Sequence, residues 1–276
     1  MNYRLLFLLT LCWLKPGIGK SQKSLNERQS PRGNFYFYWG WNRATYTRSD
    51  VHFKGTNFDF RVDNVKAKDR QSKLAADPYL RIDEITIPQY NFRMGYFFNN
   101  KYNFSIGADH MKYVMVQDQV ANVTGDIHGT GTGYNGSYDN TPMTMAGDFL
   151  QLEHTDGLNY LNMELNRVDD IYIFNKNIVF TGTYGIGTGI LYPRSRCVIL
   201  ANQVNDQWHL SGYGISAKAG INIKLLKHFF IQGELKTGFI NMPNIVIEAN
   251  SSDRAKQHFG FMQGNIVFGY QFALIK

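Results

Sequence analysis

The sequence predicts an all-β fold: an eight-stranded antiparallel transmembrane β-barrel with long extracellular loops and short periplasmic turns. Three observations predict it. Eight segments alternate bulky apolar residues with small or polar ones at a period of two, the connections between them alternate between long and short, and the polar faces carry equal numbers of cations and anions. Composition agrees. Aromatic residues make up 15% of the 276 residues against 18% charged, and the 26 glycines are spread along the chain, a mix that suits short strands better than helices.

The N-terminus reads as a secretory signal over residues 1–19. Met1-Asn2-Tyr3-Arg4 is a basic start, Leu5 to Leu14 an apolar run of about ten residues, and Gly17 and Gly19 form a small-x-small cleavage site. That run is shorter than the roughly 20 residues a membrane-spanning helix needs. Residues 20–33 are polar and without periodicity, a periplasmic leader, and 34–276 form the barrel domain. Cys12 falls within the signal, which leaves Cys197, in a predicted loop, as the one cysteine of the mature chain. No intramolecular disulfide and no cysteine-based metal site is then possible. The formal charge of +7 is scattered and not striped, which speaks against nucleic acid and for attraction to anionic lipid.

The first strand, 34–46, sets Phe35, Phe37, Trp39 and Trp41 against Tyr36, Tyr38, Gly40 and Asn42. The second, 88–98, sets Tyr90, Phe92, Met94 and Tyr96 against Asn91, Arg93 and Gly95, and after the turn Asn99-Asn100-Lys101 the third, 102–115, sets Phe104, Ile106 and Ala108 against Asn103, Ser105, Gly107 and Asp109. The fourth, 148–167, carries Leu161, Met163 and Leu165 opposite Tyr160, Asn162 and Glu164, with a turn from Asp169 to Lys176. The fifth, 177–192, opposes Tyr184, Ile186 and Ile190 to Thr181, Thr183 and three glycines. The sixth (211–224), seventh (228–241) and eighth (258–273) place Ser216, Lys218, Asn222, Gln232, Glu234, Lys236, Gln263, Asn265 and Gln271 on their polar faces. Connections of roughly 40, 30, 17 and 16 residues alternate with turns of a few residues, the rhythm of outer loops and inner turns in such barrels. Within the first of them, Val51-His52-Phe53-Lys54 and Phe58-Asp59-Phe60 suggest extended strand above the membrane.

Volume decides which face is inside. Eight strands enclose a lumen that side chains just fill, and the aromatic faces are too bulky to fit there, so they face lipid, with Trp39, Trp41, Tyr90 and Tyr192 at the interfaces. The lumen then holds Arg93, Lys218 and Lys236 with Asp109, Glu164 and Glu234. Buried charges must pair, and this balanced set predicts a barrel-interior salt-bridge and hydrogen-bond network.

No catalytic motif is intact. Gly182 to Gly189 is glycine-rich but lies within a strand and lacks the strand-loop-helix context of a nucleotide loop. No histidine pair has ligand spacing with a third donor nearby, so no metal is expected, and no cofactor. The segment Glu153-His154-Thr155-Asp156-Gly157 resembles the corresponding strand of lipid A deacylases, but aspartate stands at 156 where their serine nucleophile belongs. Phrases such as Tyr90-Asn91-Phe92-Arg93-Met94-Gly95-Tyr96 and Asn103-Phe104-Ser105-Ile106-Gly107-Ala108-Asp109 resemble strands of small outer-membrane β-barrels of the OmpA, OmpX and OmpW type, with a Bacteroidota flavour. That resemblance implies adhesion, envelope tethering or solute passage. The expectation is a monomeric, non-enzymatic protein of a bacterial outer membrane, contacting lipid and lipopolysaccharide, whose loops form a platform for an extracellular ligand or for envelope integrity. A lipid A-modifying hydrolase or acyltransferase and a narrow solute channel are the alternatives.

Overall fold

The computed structural model describes residues 30–84, 86–175, 177–203, 207–247 and 253–273; the signal segment and the leader up to residue 29 lie outside the described residues. The strands are β1 (Asn34–Tyr46), β2 (Ser49–Lys54), β3 (Phe58–Val65), β4 (Ala67–Lys68), β5 (Tyr90–Phe97), β6 (Tyr102–Met115), β7 (Val120–Ile127) and β8 (Gly136–Thr144), followed by β9 (Leu150–Asn175), β10 (Ile178–Leu191), β11 (Arg194–Ile199), β12 (Asn202–Gln203), β13 (Gln207–Trp208), β14 (Gly212–Leu225), β15 (Phe229–Val246) and β16 (Arg254–Ala273). A one-turn helix, α1 (Ala76–Tyr79), lies between β4 and β5.

Eight of these strands close a ring in the order β1-β5-β6-β9-β10-β14-β15-β16, and β16 pairs back onto β1. Every pairing is antiparallel. A walk along paired residues from Phe35 passes Tyr96, Phe104, Leu165, Ile186, Ala217, Thr237 and Met262 and returns to β1 at Thr45, ten residues further on. With a rise near 3.3 Å per residue and strands about 4.8 Å apart, that stagger tilts the strands by about 40°. Closure leaves no unpaired edge in the ring, the condition for crossing hydrocarbon with strands.

Outward positions of the ring are apolar and exposed: Phe92, Met94, Phe104, Ile106, Leu161, Met163, Ile186, Ile215, Leu235, Ile266 and Phe268. Inward glycines make room for large neighbours. A Cβ on Gly95 would sit 2.3 Å from the Tyr36 ring, and one on Gly187 would sit 2.9 Å from Glu164 Cγ.

The predicted loops are the main departure from expectation. They are largely strand, and they pair with prolonged barrel strands. After Tyr46 the chain turns, and β2 takes over the place beside β16, pairing Val51 to Lys54 with Gln257 to Arg254. From there the sheet continues β2-β3-β7-β8. Across from it, β4 adds to β6 and β11 adds to β9. Val51, Phe53, Phe60, Val62, Met111, Tyr113, Met115, Val123, Phe149, Leu152, Ile240, Met242 and Phe259 are all buried in one apolar core between these layers. This extramembrane cap folds as a water-soluble protein does, by burying the apolar side chains of alternating strands.

Two smaller expectations are corrected. The turn expected over Asp169 to Lys176 is strand up to Asn175, because Tyr172 and Ile173 pair with Phe180 and Val179. Cys197 belongs to β11 and not to a loop, and it is buried in the cap core.

Candidate functional site

All six predicted lumen charges converge at mid-height. Each projects inward because it shares the parity of its strand's small and polar residues: Arg93 on β5, Asp109 on β6, Glu164 on β9, Lys218 on β14, and Glu234 and Lys236 on β15. Glu164 is the hub. Its carboxylate lies 2.9 Å from Arg93 Nη2, 2.8 Å from Lys218 Nζ and 2.6 Å from Lys236 Nζ. Lys236 Nζ also meets Asp109 Oδ2 at 2.6 Å, and Lys218 Nζ meets Glu234 Oε2 at 3.0 Å. Arg93 and Lys236 are fully buried and the other four nearly so.

Neutral side chains complete the network. Arg93 donates from Nε to Tyr38 Oη at 3.0 Å, from Nη1 to Ser105 Oγ at 3.2 Å and from Nη2 to Asn162 Oδ1 at 2.6 Å. Gln232 and Asn265 amides donate to the two Glu234 oxygens at 2.7 and 2.8 Å, and Asn162 donates to Asp109 Oδ2 at 2.9 Å. Tyr38 and Ser105 were not among the residues singled out for this network. Their inward parity, shared with Asn42 and Asp109, was the available signal. Below the charges a cavity of about 50 Å³, lined by Tyr36, Phe97, Asn103, Asn166 and Phe230, opens toward the inner end. That is room for about one or two waters.

Chemically, three fixed cations facing three fixed anions make a neutral plug. Removing one partner leaves a neighbour's charge uncompensated in a dry interior, which costs about 3–5 kcal/mol. Glu164→Gln is therefore expected to lower the temperature at which the barrel loses its compact gel mobility. Adding Lys218→Met restores neutrality and should recover at least half of that loss. Equal behaviour of the single and double variants would show that charge balance is not what the network supplies.

His154 has a different setting. It points into the cap core, fully buried, with Nδ1 2.6 Å from Ser195 Oγ and its ring beside Tyr113. Gln257 donates to Ser49 Oγ at 2.9 Å and to Tyr113 Oη at 2.5 Å in the same polar knot. A histidine and a serine thus meet, but Ser195 is also buried, and neither faces the lipid interface that a lipid A hydrolase must reach. Asp156 is exposed, 3.6 Å from Arg194.

Burial pushes His154 down to about 4, with Gln257 pulling slightly the other way. The unfolded histidine, near 6.5, takes up its proton first as pH falls, so the cap loses stability from about pH 6.5 down to pH 4, by on the order of 3 kcal/mol in total. Followed through Trp208 in a W39F/W41F background, the urea midpoint of the cap is expected to fall across that window. His154→Gln should flatten the fall, and an unchanged slope would assign it to other groups.

No protein-family profile and no curated protein matches this chain. Solved structures with a similar fold are the outer membrane protein OprG of Pseudomonas aeruginosa (12% identity, 89% of this chain and 98% of that one, TM-score 0.36) and the attachment invasion locus protein Ail of Yersinia pestis, in complex with the heparin analogue sucrose octasulfate (11%, 87% and 99%, 0.34). The N-terminal β-barrel domain of Pseudomonas aeruginosa OprF is a third (8%, 87% and 98%, 0.32). The closure of eight strands stands on the pairing in this chain itself: an eight-stranded antiparallel β-barrel.

Proposed function

We propose that this chain is a non-enzymatic outer-membrane barrel protein whose extramembrane cap is a surface-exposed platform for ligand binding or envelope integrity. One observation carries the reading: side-chain polarity inverts along continuous strands. On β16, followed upward from its C-terminal end, the inward residues Asn265 and Gln263 give way to Phe261 and Phe259, while the outward ones change from Phe268, Ile266 and Met262 to His258 and Lys256. The lower half is built for lipid outside and polar contents inside, the upper half for water outside.

The inversion closes the lumen twice, with the ion-paired plug below and the cap core above. What remains to face a partner is the cap surface. There Asp59 meets His52 Nε2 at 2.6 Å and Lys54 Nζ at 2.9 Å, and Arg61 meets Asp63 at 2.5 Å. Pairs this exposed contribute little to stability and are open to exchange for a partner's charges. Their hydrogen bonds hold the Asp59 carboxyl below its usual range.

Purified protein in planar bilayers is expected to show no conductance steps, and Glu234→Gln or Lys236→Gln should open none; discrete steps would favour the channel. On intact cells a cysteine at Asn135, in the β7–β8 connection, should react with a membrane-impermeant maleimide and one at Asn99 should not. Native Cys197, whose thiol burial pushes up to about 12, stays silent. The reverse labelling pattern would contradict the orientation.

A further inference from the structure

The barrel's outer wall carries one groove that its strands do not make alone. Residues 74–80, including α1, lie against the lipid-facing side of β1, β15 and β16 and enclose about 870 Å³. The lining is overwhelmingly apolar: Trp41, Leu74, Tyr79, Leu80 and Ile266, with Arg43 at one end. That volume is in the range of small-molecule sites, about 300–1,000 Å³.

Three features distinguish it from ordinary lipid-facing wall. First, Gly233 and Gly264 interrupt a face otherwise filled by Leu235, Ile266 and Met262, and a Cβ at either glycine would meet nothing within 4 Å. The wall is hollowed where the overhanging segment stands away from it. Second, that segment is tethered: the Trp41 and Tyr79 rings meet edge to face at 5.4 Å, Asp69 Oδ2 accepts from Ala44 N at 2.8 Å, and Arg43 donates to Gln71. Yet Leu74 and Leu80 are 83% and 75% exposed, which a connection in water would not favour. They continue the lipid-facing band onto a second surface.

Third, the charges are placed at the water side. Arg43 follows Trp41 two residues higher on the same outward face and bonds an uncharged amide, and exposed Lys73 adjoins Leu74. Arg81, next to Leu80, is held by Asp77, Asp83 and Glu84, a cluster of net negative charge that leaves no guanidinium free for an anion. An apolar groove with Arg43 in its lining, and with Lys73 beside Leu74 in the sequence, fits a molecule with an acyl chain and an anionic head.

We propose that this groove is a binding site for a phosphate-bearing, acylated lipid of the outer leaflet, its chain between residues 74–80 and the Gly233/Gly264 hollow and its phosphate at Arg43 and Lys73. The proposal rests on the bilayer-embedded reading above. Trp41 lies in the groove and serves as the reporter. The W39F/W208F protein is reconstituted in phosphatidylcholine vesicles containing increasing fractions of phosphatidylglycerol brominated on its chains, and in parallel vesicles where phosphatidylcholine itself is brominated.

Half-maximal quenching is expected at about a fivefold lower fraction of the anionic lipid. Arg43→Gln with Lys73→Gln should abolish that preference, and Gly233→Leu with Gly264→Leu, which fills the hollow from the outside, should abolish it too. Equal quenching by the two lipids overturns the site, as does a preference that survives the filled groove. Absence of quenching by brominated phosphatidylcholine would instead overturn the membrane reading, so the two failures are distinct. The first comparison needs no substitution in the groove, and compact gel mobility confirms that the variants are folded.

Discussion

Hydrogen-bond closure is the constraint on which everything else depends. A strand in hydrocarbon must satisfy its backbone from neighbouring strands, and a ring does so without an edge. With eight strands and a ten-residue stagger the lumen is too narrow for a continuous water channel and too wide to be empty. Side chains must fill it, and polar ones are available because the bulky apolar ones are needed outside. Charges placed there have to cancel among themselves, which is why Glu164 stands between Arg93, Lys218 and Lys236 and why Asp109 and Glu234 complete the balance.

The same strands run on beyond the bilayer, where the solvent rule reverses. Above Asp109, Gln263 and Lys236 the inward residues become Met111, Phe261 and Ile240, and a hydrophobic core replaces the ionic one. The two cores are continuous through the strand backbones but stabilised by opposite means. The lower is sensitive to the loss of any single charge, the upper to volume, and His154 couples the upper to acid. A cap of this kind presents a defined surface in place of mobile loops, and the ring below serves as its mount.

The ring was legible in the sequence because it needs only local information. Strands 34–46 and 102–115 have the bounds that alternation predicts, and inward parity alone puts the six charges in the lumen, while strand register brings them to one level. The cap was legible only in fragments. Val51 to Lys54 reads as strand, but its partner is Arg254 to Gln257, some two hundred residues away, and period two carries no address. Met111, Tyr113 and Met115 share the parity of Asn103 to Asp109, so their apolar character looks like a failing pattern until the change of solvent is known. Residues 169–176 read as a turn for a related reason, since both faces of that hairpin carry apolar residues: Ile171, Tyr172 and Phe174 are all exposed. The outer groove had no sequence signature, because Gly233 and Gly264 acquire meaning only from the segment that overhangs them.

Amide hydrogen exchange, resolved along β6 and β15, tests the central claim most directly. If the strands continue as a folded cap, the amides of Met111 to Met115 and Ile240 to Met242 exchange slowly, in the same class as those of Phe104 to Asp109 inside the bilayer. Protection that ends abruptly above Asp109, with the upper amides exchanging at the rate of open loops, would contradict it.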